Sequence, residues 1–450
     1  RMINAGMNIA RINFSHGTRE NHKHTFKRLR HASQKAKQEI AILQDLQGHK
    51  VRVGRLKKGD ELRLATGGIV RIGFGEWVTA ERIGIDYPKI ADFVETGHRI
   101  FLDDGMINLN VLTKGGEDLI CEVIIGGMLK SRKGIIFPDS NLEFPLLNKK
   151  DMDDAQFGAH LDVDMIAMSF VHSATEIFEM RIRLGEWGVK NSFIIAKIED
   201  RIGVENIDEI LDTADGILIA RGDMGVSLAR EQVPVVQAQI IQKANTRGVP
   251  VITATQMLES MIYNHYPTRA EVNDVYNAII SGSDAVMLSG ETATGRYPVQ
   301  AIEEMDRICR SAEKELRLRQ TETIRIDGKE GLHDRMAEAV TTLVKNMKAA
   351  CVIGLSLSGS TLRSLSSCRL AVPIFGVVDN ISLLRQLLLH RSLFIVTMPR
   401  SNRLSDLVDP LLDRLNKKGI ILSGDRVVVV SGEIDQKGRN THLAKVYEIN

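Results

Sequence analysis

The chain has 450 residues, enough for two or three domains around a large buried core. Its 59 Lys and Arg nearly balance 57 Asp and Glu, for a net charge of +2, which gives no argument for a nucleic-acid or membrane partner, so any cationic site has to be local. No apolar run approaches the roughly 20 residues of a membrane span, and the four cysteines (Cys121, Cys309, Cys351, Cys368) are scattered without a C-x-x-C pair, as reduced thiols of a cytoplasmic protein are, not a disulfide framework or a zinc site.

The opening residues, Arg1 to Gly6, read as the end of a helix already under way, with Gly6 at its C-cap. The natural N-terminus is therefore expected upstream. One pattern then recurs: a short apolar run, one or two polar residues, and a helical stretch. The runs lie at 8–12, 40–43, 165–168, 193–198, 217–220, 251–254 and 285–288. Alternating strands and helices imply a parallel sheet. Each run ends in chemistry: Arg11 and Asn13, Asp45, Ser169, Lys197 and Glu199, Arg221 and Asp223, Thr255 and Gln256, then Ser289 and Glu291. Polar residues gathered at one end of many parallel strands point to a (β/α)8 TIM barrel, whose active site lies at that face. Seven runs are counted, and a strand ahead of the first would complete the ring.

The rhythm breaks over 53–145, where short alternating strands and many glycines replace helical stretches. This reads as a small β-barrel domain inserted in a barrel loop, able to close over the site as a lid. The barrel is expected over 1–52 and 146–315. A polar linker at 319–329 leads into a C-terminal α/β domain, 316–450 overall, with strands near 351–355, 374–378, 393–396 and 427–430, a mostly parallel sheet, and helices between the first three.

Two strand ends carry the sharpest signal. Lys197 and Glu199 are two residues apart, so they share one face of their strand. Arg221 and Asp223 repeat that spacing at the end of the next run. Two carboxylates can hold a hard divalent metal, and cations beside them can hold an anion, the minimum kit for chemistry on a phosphorylated acid. The same spacing is equally readable as a buried Lys197–Glu199 ion pair.

Eight segments extend this beyond single residues: NIARINFSHG (8–17), LDDGMI (102–107), KSRKG (130–134), AKIE (196–199), ARGDMG (220–225), ATQMLESM (254–261), PTRAE (267–271) and MLSGETA (287–293). In that order and spacing the chain closely resembles the pyruvate kinase family over nearly its whole length. The resemblance implies a barrel, a β lid and a C-terminal domain, and transfer of the phosphoryl group of phosphoenolpyruvate to ADP, the last step of glycolysis, with ATP and pyruvate as products. It implies that Glu199 and Asp223 bind Mg2+ (or Mn2+), that Lys197 and Arg11 neutralise the phosphoryl group, and that Gly222 and Asp223 offer backbone N–H groups to the substrate carboxylate, a helix N-cap by Asp223 being compatible with that. Thr255 touches the enolpyruvate, and Ser289 and Glu291 either join the proton route or tie the barrel top together. Asn13, His16, Arg52 and Lys133 are implicated in ADP binding. Lys130 and Arg132 read as solvated charge, and the Asp103-Asp104-Gly105 turn as the lid's site-facing edge or a plain β-turn.

Many members of the family hold K+ at positions that are Asn13, Ser15, Asp45 and the Leu46 carbonyl here. Lys50 stands where potassium-dependent members carry glutamate, so its ammonium is expected to replace K+. His49 stands at the lid hinge where the family usually has proline. Ser356, Ser358, Gly359, Ser360 and Thr361 follow a strand and open a helix, in the loop the family uses for sugar-phosphate activators. Ser360 replaces the usual arginine, so either a sugar-phosphate or nucleotide effector site or an ordinary capped helix fits. The resemblance further implies a homotetramer under allosteric control, and an upstream first strand whose loop reaches the nucleotide. The rivals are a metal-dependent aldolase or lyase of the phosphoenolpyruvate-binding barrel type, and an inactive, truncated relative.

Overall fold

In a computed structural model, residues 1–319, 331–401, 403–434 and 440–449 are described. Seven strands form one curled parallel sheet in chain order: β1 (Ile9–Asn13), β2 (Ala41–Asp45), β3 (Met165–Met168), β4 (Ile194–Ile198), β5 (Gly216–Ala220), β6 (Val251–Ala254) and β7 (Ala285–Met287). Each pairs in parallel with its neighbours, β1 and β7 lying at the two edges. The strands β2 to β6 are buried along their whole length, which is why they read as continuous apolar runs and not as alternating ones. Residues 2–6 form a turn. Met7 N–H donates to the Met2 carbonyl, Gly6 N–H donates to the Ile3 carbonyl, and Gly6 takes φ +120°, as in a Schellman cap.

Helices return the chain between strands, and several are closed by side-chain caps. The PTRAE segment is one of these: Thr268 caps helix Arg269–Ile280 and Glu271 answers it in a capping box.

Between β2 and β3 lie a mixed eight-stranded sheet and a two-stranded one, around a core of their own that includes Val53, Ile72, Ile83, Ile100, Leu109 and Leu119. This is the β region expected over 53–145, with one short helix, Ile90–Phe93, that the sequence pattern did not suggest.

The C-terminal sheet is β8 (Cys351–Leu355), β9 (Ile374–Val378), β10 (Leu393–Thr397), β11 (Arg426–Ile434) and β12 (Asn440–Glu448), in the order β10-β9-β8-β11-β12. The four expected strands are parallel, and β12 adds an antiparallel fifth. Helix Leu404–Lys417, also unexpected, carries Pro410 in its interior, yet buries Val408, Leu411 and Leu415 on one face. The linker expected at 319–329 falls, beyond Arg319, outside the described residues.

In the inserted sheet, a Cβ on Gly84 would lie 2.5 Å from the Gly75 carbonyl oxygen and 2.6 Å from that of Trp77. Both are backbone atoms that cannot rotate away. Gly84→Ala is expected to destabilise this region by about 1–3 kcal/mol. Hydrogen exchange should show lost protection over 69–85 with residues 194–198 unchanged.

Candidate active site

Four charged side chains meet where the parallel strands end. Arg11 of β1 places Nε 2.5 Å from Asp45 Oδ2 at the end of β2. Asp45 Oδ1 lies 3.1 Å from Lys197 Nζ on β4, which in turn lies 3.0 Å from Glu199 Oε1. The side chains of Asp45, Lys197 and Glu199 are 1%, 9% and 2% exposed, whereas Arg11 is 24% exposed at the outer end of the chain of charges. The ion-pair reading of Lys197 and Glu199 is therefore realised, but as part of a longer row.

Ser169, at the end of β3, accepts a hydrogen bond from Lys197 Nζ at 2.6 Å and donates to the Leu46 carbonyl at 2.8 Å. The sequence placed Ser169 at a strand end but gave it no role; its position in the row of strand-end polar residues was the available signal. Burial pulls the Lys197 ammonium down, but the Asp45 and Glu199 carboxylates outweigh it and hold it above the ordinary lysine range. Burial pushes the Glu199 carboxyl up, and the charges of Asp223 and Asp45 add to this against the pull of Lys197.

Asp223 stands in the first turn of helix Arg221–Ser227, just after β5. It does not cap that helix. The cap position is Ala220, with no side-chain cap bond. Glu199 is buried and Asp223 half-buried, and the two like charges act on each other, a crowding that a hard divalent cation would relieve. Among the described residues no group of three or more His, Cys, Asp or Glu converges on a ready-made cage. Two carboxylates suit Mg2+, which keeps several waters and takes substrate oxygens.

Arg221 serves the fold, not an anion. Its guanidinium donates to the Thr255 carbonyl at 2.7 Å and the Gln256 carbonyl at 3.0 Å, and pairs with Asp274 at 2.7 Å. These bonds hold a turn in which Thr255 and Gln256 take φ of +67° and +55°, positions that non-glycine residues adopt only when held. Thr255 Oγ1 accepts the Gly222 N–H at 2.8 Å, tying β6 to the start of the Asp223 helix. Glu291 is buried, and its carboxylate accepts the Leu258 N–H at 3.1 Å and the Ser289 N–H at 2.7 Å. Of the two readings of Glu291, tying the barrel top together is the one these bonds satisfy.

The residues implicated in nucleotide binding divide between two places. Asn13 Oδ1 accepts the Ser15 N–H at 3.0 Å in the loop after β1, where His16 also lies. Arg52 and Lys133 lie on the inserted domain's two connections, Arg52 donating to the Arg132 carbonyl at 3.0 Å and Lys133 pairing with Asp103 at 2.7 Å. A Cβ on Gly105 would lie 3.5 Å from Val226 Cγ1, so the Asp103-Asp104-Gly105 turn stands against the Asp223 helix. Lys130 pairs with Glu61 at 3.0 Å. Lys50 faces Asp104 across 3.9 Å. His49 stacks on Phe144 at 4.8 Å, beside a cavity of about 340 Å³ lined also by Leu146, His172 and Glu176. None of Arg11, Asp45, Lys197 and Glu199 lines that cavity.

In the C-terminal domain, Gly359 takes φ +83° and its N–H donates to Ser356 Oγ at 3.0 Å. Ser358 and Ser360 hydroxyls bond at 2.9 Å. His333, on helix Leu332–Met347, comes within 3.3 Å of Ser360 Oγ and 3.4 Å of Thr361 Oγ1. Nothing in the local pattern marked His333.

Replacing Glu291 with Ala would leave two inward N–H groups without their acceptor. Glu291→Ala is expected to lower unfolding free energy by roughly 2–4 kcal/mol, measured by urea denaturation; Glu291→Gln, which keeps one acceptor oxygen, should lose less.

Two family descriptions cover most of the chain: the pyruvate kinase barrel domain matches residues 1–302 and the pyruvate kinase alpha/beta domain matches residues 334–447. A pyruvate kinase of Geobacillus stearothermophilus is 38% identical over the whole chain, which spans 77% of that relative. One from Clostridium acetobutylicum is 35% identical, with 99% of this chain and 94% of the relative covered. One from Dictyostelium discoideum is 36% identical, with 100% and 90% covered. These matches run through both domains and give the aldolase or lyase rival no support. The chain belongs to the pyruvate kinase family.

Proposed function

We propose that the row Arg11–Asp45–Lys197–Glu199, with Asp223 beside it, is the site of phosphoryl transfer from phosphoenolpyruvate to ADP. The observation that carries this reading is the shared carboxylate: Asp45 holds Arg11 and Lys197 side by side at the strand ends. Two cations fixed next to each other suit a transferring phosphoryl group, whose charge is spread over its oxygens. The bond from phosphorus to the enol oxygen breaks, a bond to a terminal ADP oxygen forms, and the enolate left behind takes up a proton. Arg11 offers a planar fork to the phosphoryl oxygens. Lys197, nearly enclosed and kept charged by its neighbours, neutralises the group in flight, where exclusion of water makes that charge most effective. Thr255 lies on the enolpyruvate side and Ser289 on the proton route, with Asp223 and Gly222 toward the substrate carboxylate, which would have to take the Gly222 N–H from Thr255 Oγ1. Glu199 and Asp223 would hold Mg2+ or Mn2+, which supplies further charge neutralisation on the substrate.

On the same reading, Asn13, His16, Arg52 and Lys133 receive the nucleotide, and the inserted sheets (53–145) close as a lid between the barrel parts (1–52 and 146–315), the position of the Gly105 turn against Val226 supporting this. Ser356, Ser358, Gly359, Ser360 and Thr361, in the 316–450 domain, form the effector loop for a sugar-phosphate or nucleotide, with His333 as an added partner. A cytoplasmic homotetramer completes the proposal. No helix among the described residues is long and apolar enough to cross a membrane.

The deciding assay is ADP-dependent pyruvate release from phosphoenolpyruvate with Mg2+. Lys197→Met should lower it roughly 100- to 1,000-fold while Mn2+ binding, followed by electron paramagnetic resonance, stays largely intact. Transfer that survives this change removes Lys197 from the role given to it.

Potassium tests the Lys50 reading separately. With Lys50 in place of glutamate, the rate should hold constant when K+ replaces a large organic cation at fixed ionic strength. Lys50→Glu should create a K+ requirement. A many-fold K+ stimulation of the unaltered protein rejects the substitution of an ammonium for the ion.

A further inference from the structure

The end of the sheet opposite the active site carries a device used three times. Asp164, Asp215 and Asp284 each stand one residue before a strand: β3, β5 and β7. Each makes the same reciprocal pair with the neighbouring strand. Asp164 accepts the Ile42 N–H at 2.6 Å and donates its own N–H to the Ile42 carbonyl at 3.1 Å. Asp215 does so with Ile194 at 2.9 and 2.9 Å. Asp284 repeats it with Val251 at 2.9 and 2.9 Å. The stagger of β2 against β3, β4 against β5, and β6 against β7 is thus pinned at the base by a carboxylate.

A carboxylate in such a place needs a cation. For the first two pairs a barrel helix provides one, and at Asp164 Arg385, from helix Ile381–Leu387 of the C-terminal domain, adds a second at 3.8 Å. Arg30, from helix Arg19–Ala36, reaches Asp164 at 2.7 Å, and Arg181, from helix Ala174–Glu186, reaches Asp215 at 2.9 Å. The third pair takes its arginine from outside the barrel helices. Among the described residues, the arginine bonded to Asp284 is Arg369, which belongs to the C-terminal domain. Its Nη2 lies 3.3 Å from both Asp284 oxygens and 2.7 Å from the Gly282 carbonyl, and also donates to Asn245 Oδ1. The two side chains are 5% and 8% exposed. Arg369 itself takes φ +51° beyond the end of helix Ser360–Ser367, a conformation that aims it across the interface at some local cost.

We infer that Arg369 is a positioning residue for the reaction: the C-terminal domain supplies the third cation of the barrel's basal locks, and so sets the seat of β6 and β7, the strands that deliver Thr255 and Ser289. The inference rests on the roles proposed above for those two residues. Its path is short. Asp284 fixes Val251, the first residue of β6; Ala254 ends that strand; Thr255 follows and holds the Gly222 N–H. A second bond, between Thr253 Oγ1 and Ser283 Oγ at 2.7 Å, braces the same pair. Rigid parallel strands transmit a shift at the base to the top, where small misplacements of reacting groups are costly.

The test compares Arg369→Met and Arg369→Lys with the unaltered full chain. Hydrogen exchange should lose protection over 249–256 and 282–288 while 193–199, locked by Asp215 and Arg181, keeps it. Per folded molecule, kcat should fall about tenfold with KM for ADP unchanged, because the nucleotide contacts lie elsewhere, and Arg369→Lys should recover part of the loss. Should Arg369→Met fail to fold, Arg369→Lys, which keeps the charge and loses the fork, carries both readouts. Equal loss of protection in all three strand pairs, or unchanged exchange at 249–256, overturns the inference. If the unaltered protein makes no pyruvate, the proposed reaction fails, while the exchange pattern still decides whether Arg369 seats β6 and β7.

Discussion

Asp45 is one carboxylate facing two cations, and the site is organised around it. Without it Arg11 and Lys197 would repel each other in a place where water cannot screen them. With it, charge alternates along the row: Arg11, Asp45, Lys197, Glu199. Alternation is what makes burial tolerable, since each desolvated charge is met by an opposite one. The arrangement also keeps the cations correctly charged before any substrate arrives, so that little reorganisation is needed when an anionic group enters.

The site draws its precision from strands, not loops. Arg11, Lys197 and Asp45 lie within β1, β4 and β2, and Ser169 and Thr255 follow β3 and β6 directly. Their spacing is set by backbone hydrogen bonds between neighbouring strands, of which β2 to β6 are fully buried. The Arg221 fork then fixes the strained turn that carries Thr255 and Gln256. The proposed lid is built differently, with its own core and its own glycine-dependent packing. That separation would let it move as a unit about its two connections while the charged row stays in place.

How much of this was readable beforehand follows from which interactions are local. Seven parallel strands were placed within a residue or two, because strands buried on both faces are apolar throughout and end abruptly in polar residues. Lys197 and Glu199 could be put on one face from spacing alone. Arg221 could not be told from an anion-binding cation, since its partners Thr255, Gln256 and Asp274 lie more than 30 residues away. Ser169 stood at the right strand end, but its bond to Lys197 depends on the register of β3 against β4. Strand β12, paired only along one edge of the C-terminal sheet, lacks the apolar run that marks a central strand. Helix Leu404–Lys417 was obscured by Pro410, although its buried face keeps helical spacing. Arg369 and His333 carry no local signature; what they do is decided by docking between elements.

The two ends of the parallel sheet thus solve different problems with the same pairing of arginine and aspartate. At the upper end one aspartate faces two cations, and Arg11 is partly exposed, so that an entering anion could reach it. At the base each aspartate is held by two backbone bonds and an arginine, which leaves it nothing to exchange. The base has to be fixed for the top to be selective, because a strand that slides carries its terminal side chain with it. At Asp215 the paired arginine is the barrel's own, and at Asp164 the barrel's Arg30 is joined by Arg385 of the C-terminal domain. In the third lock the fixity passes through Arg369 to a separate sheet, the one whose Ser356–Thr361 loop opens the helix that Arg369 follows. A ligand at that loop would act on the N-terminus of the helix whose other end is proposed to seat β6 and β7, so the distance between the proposed effector loop and Thr255 is spanned by one short helix, one arginine and one strand.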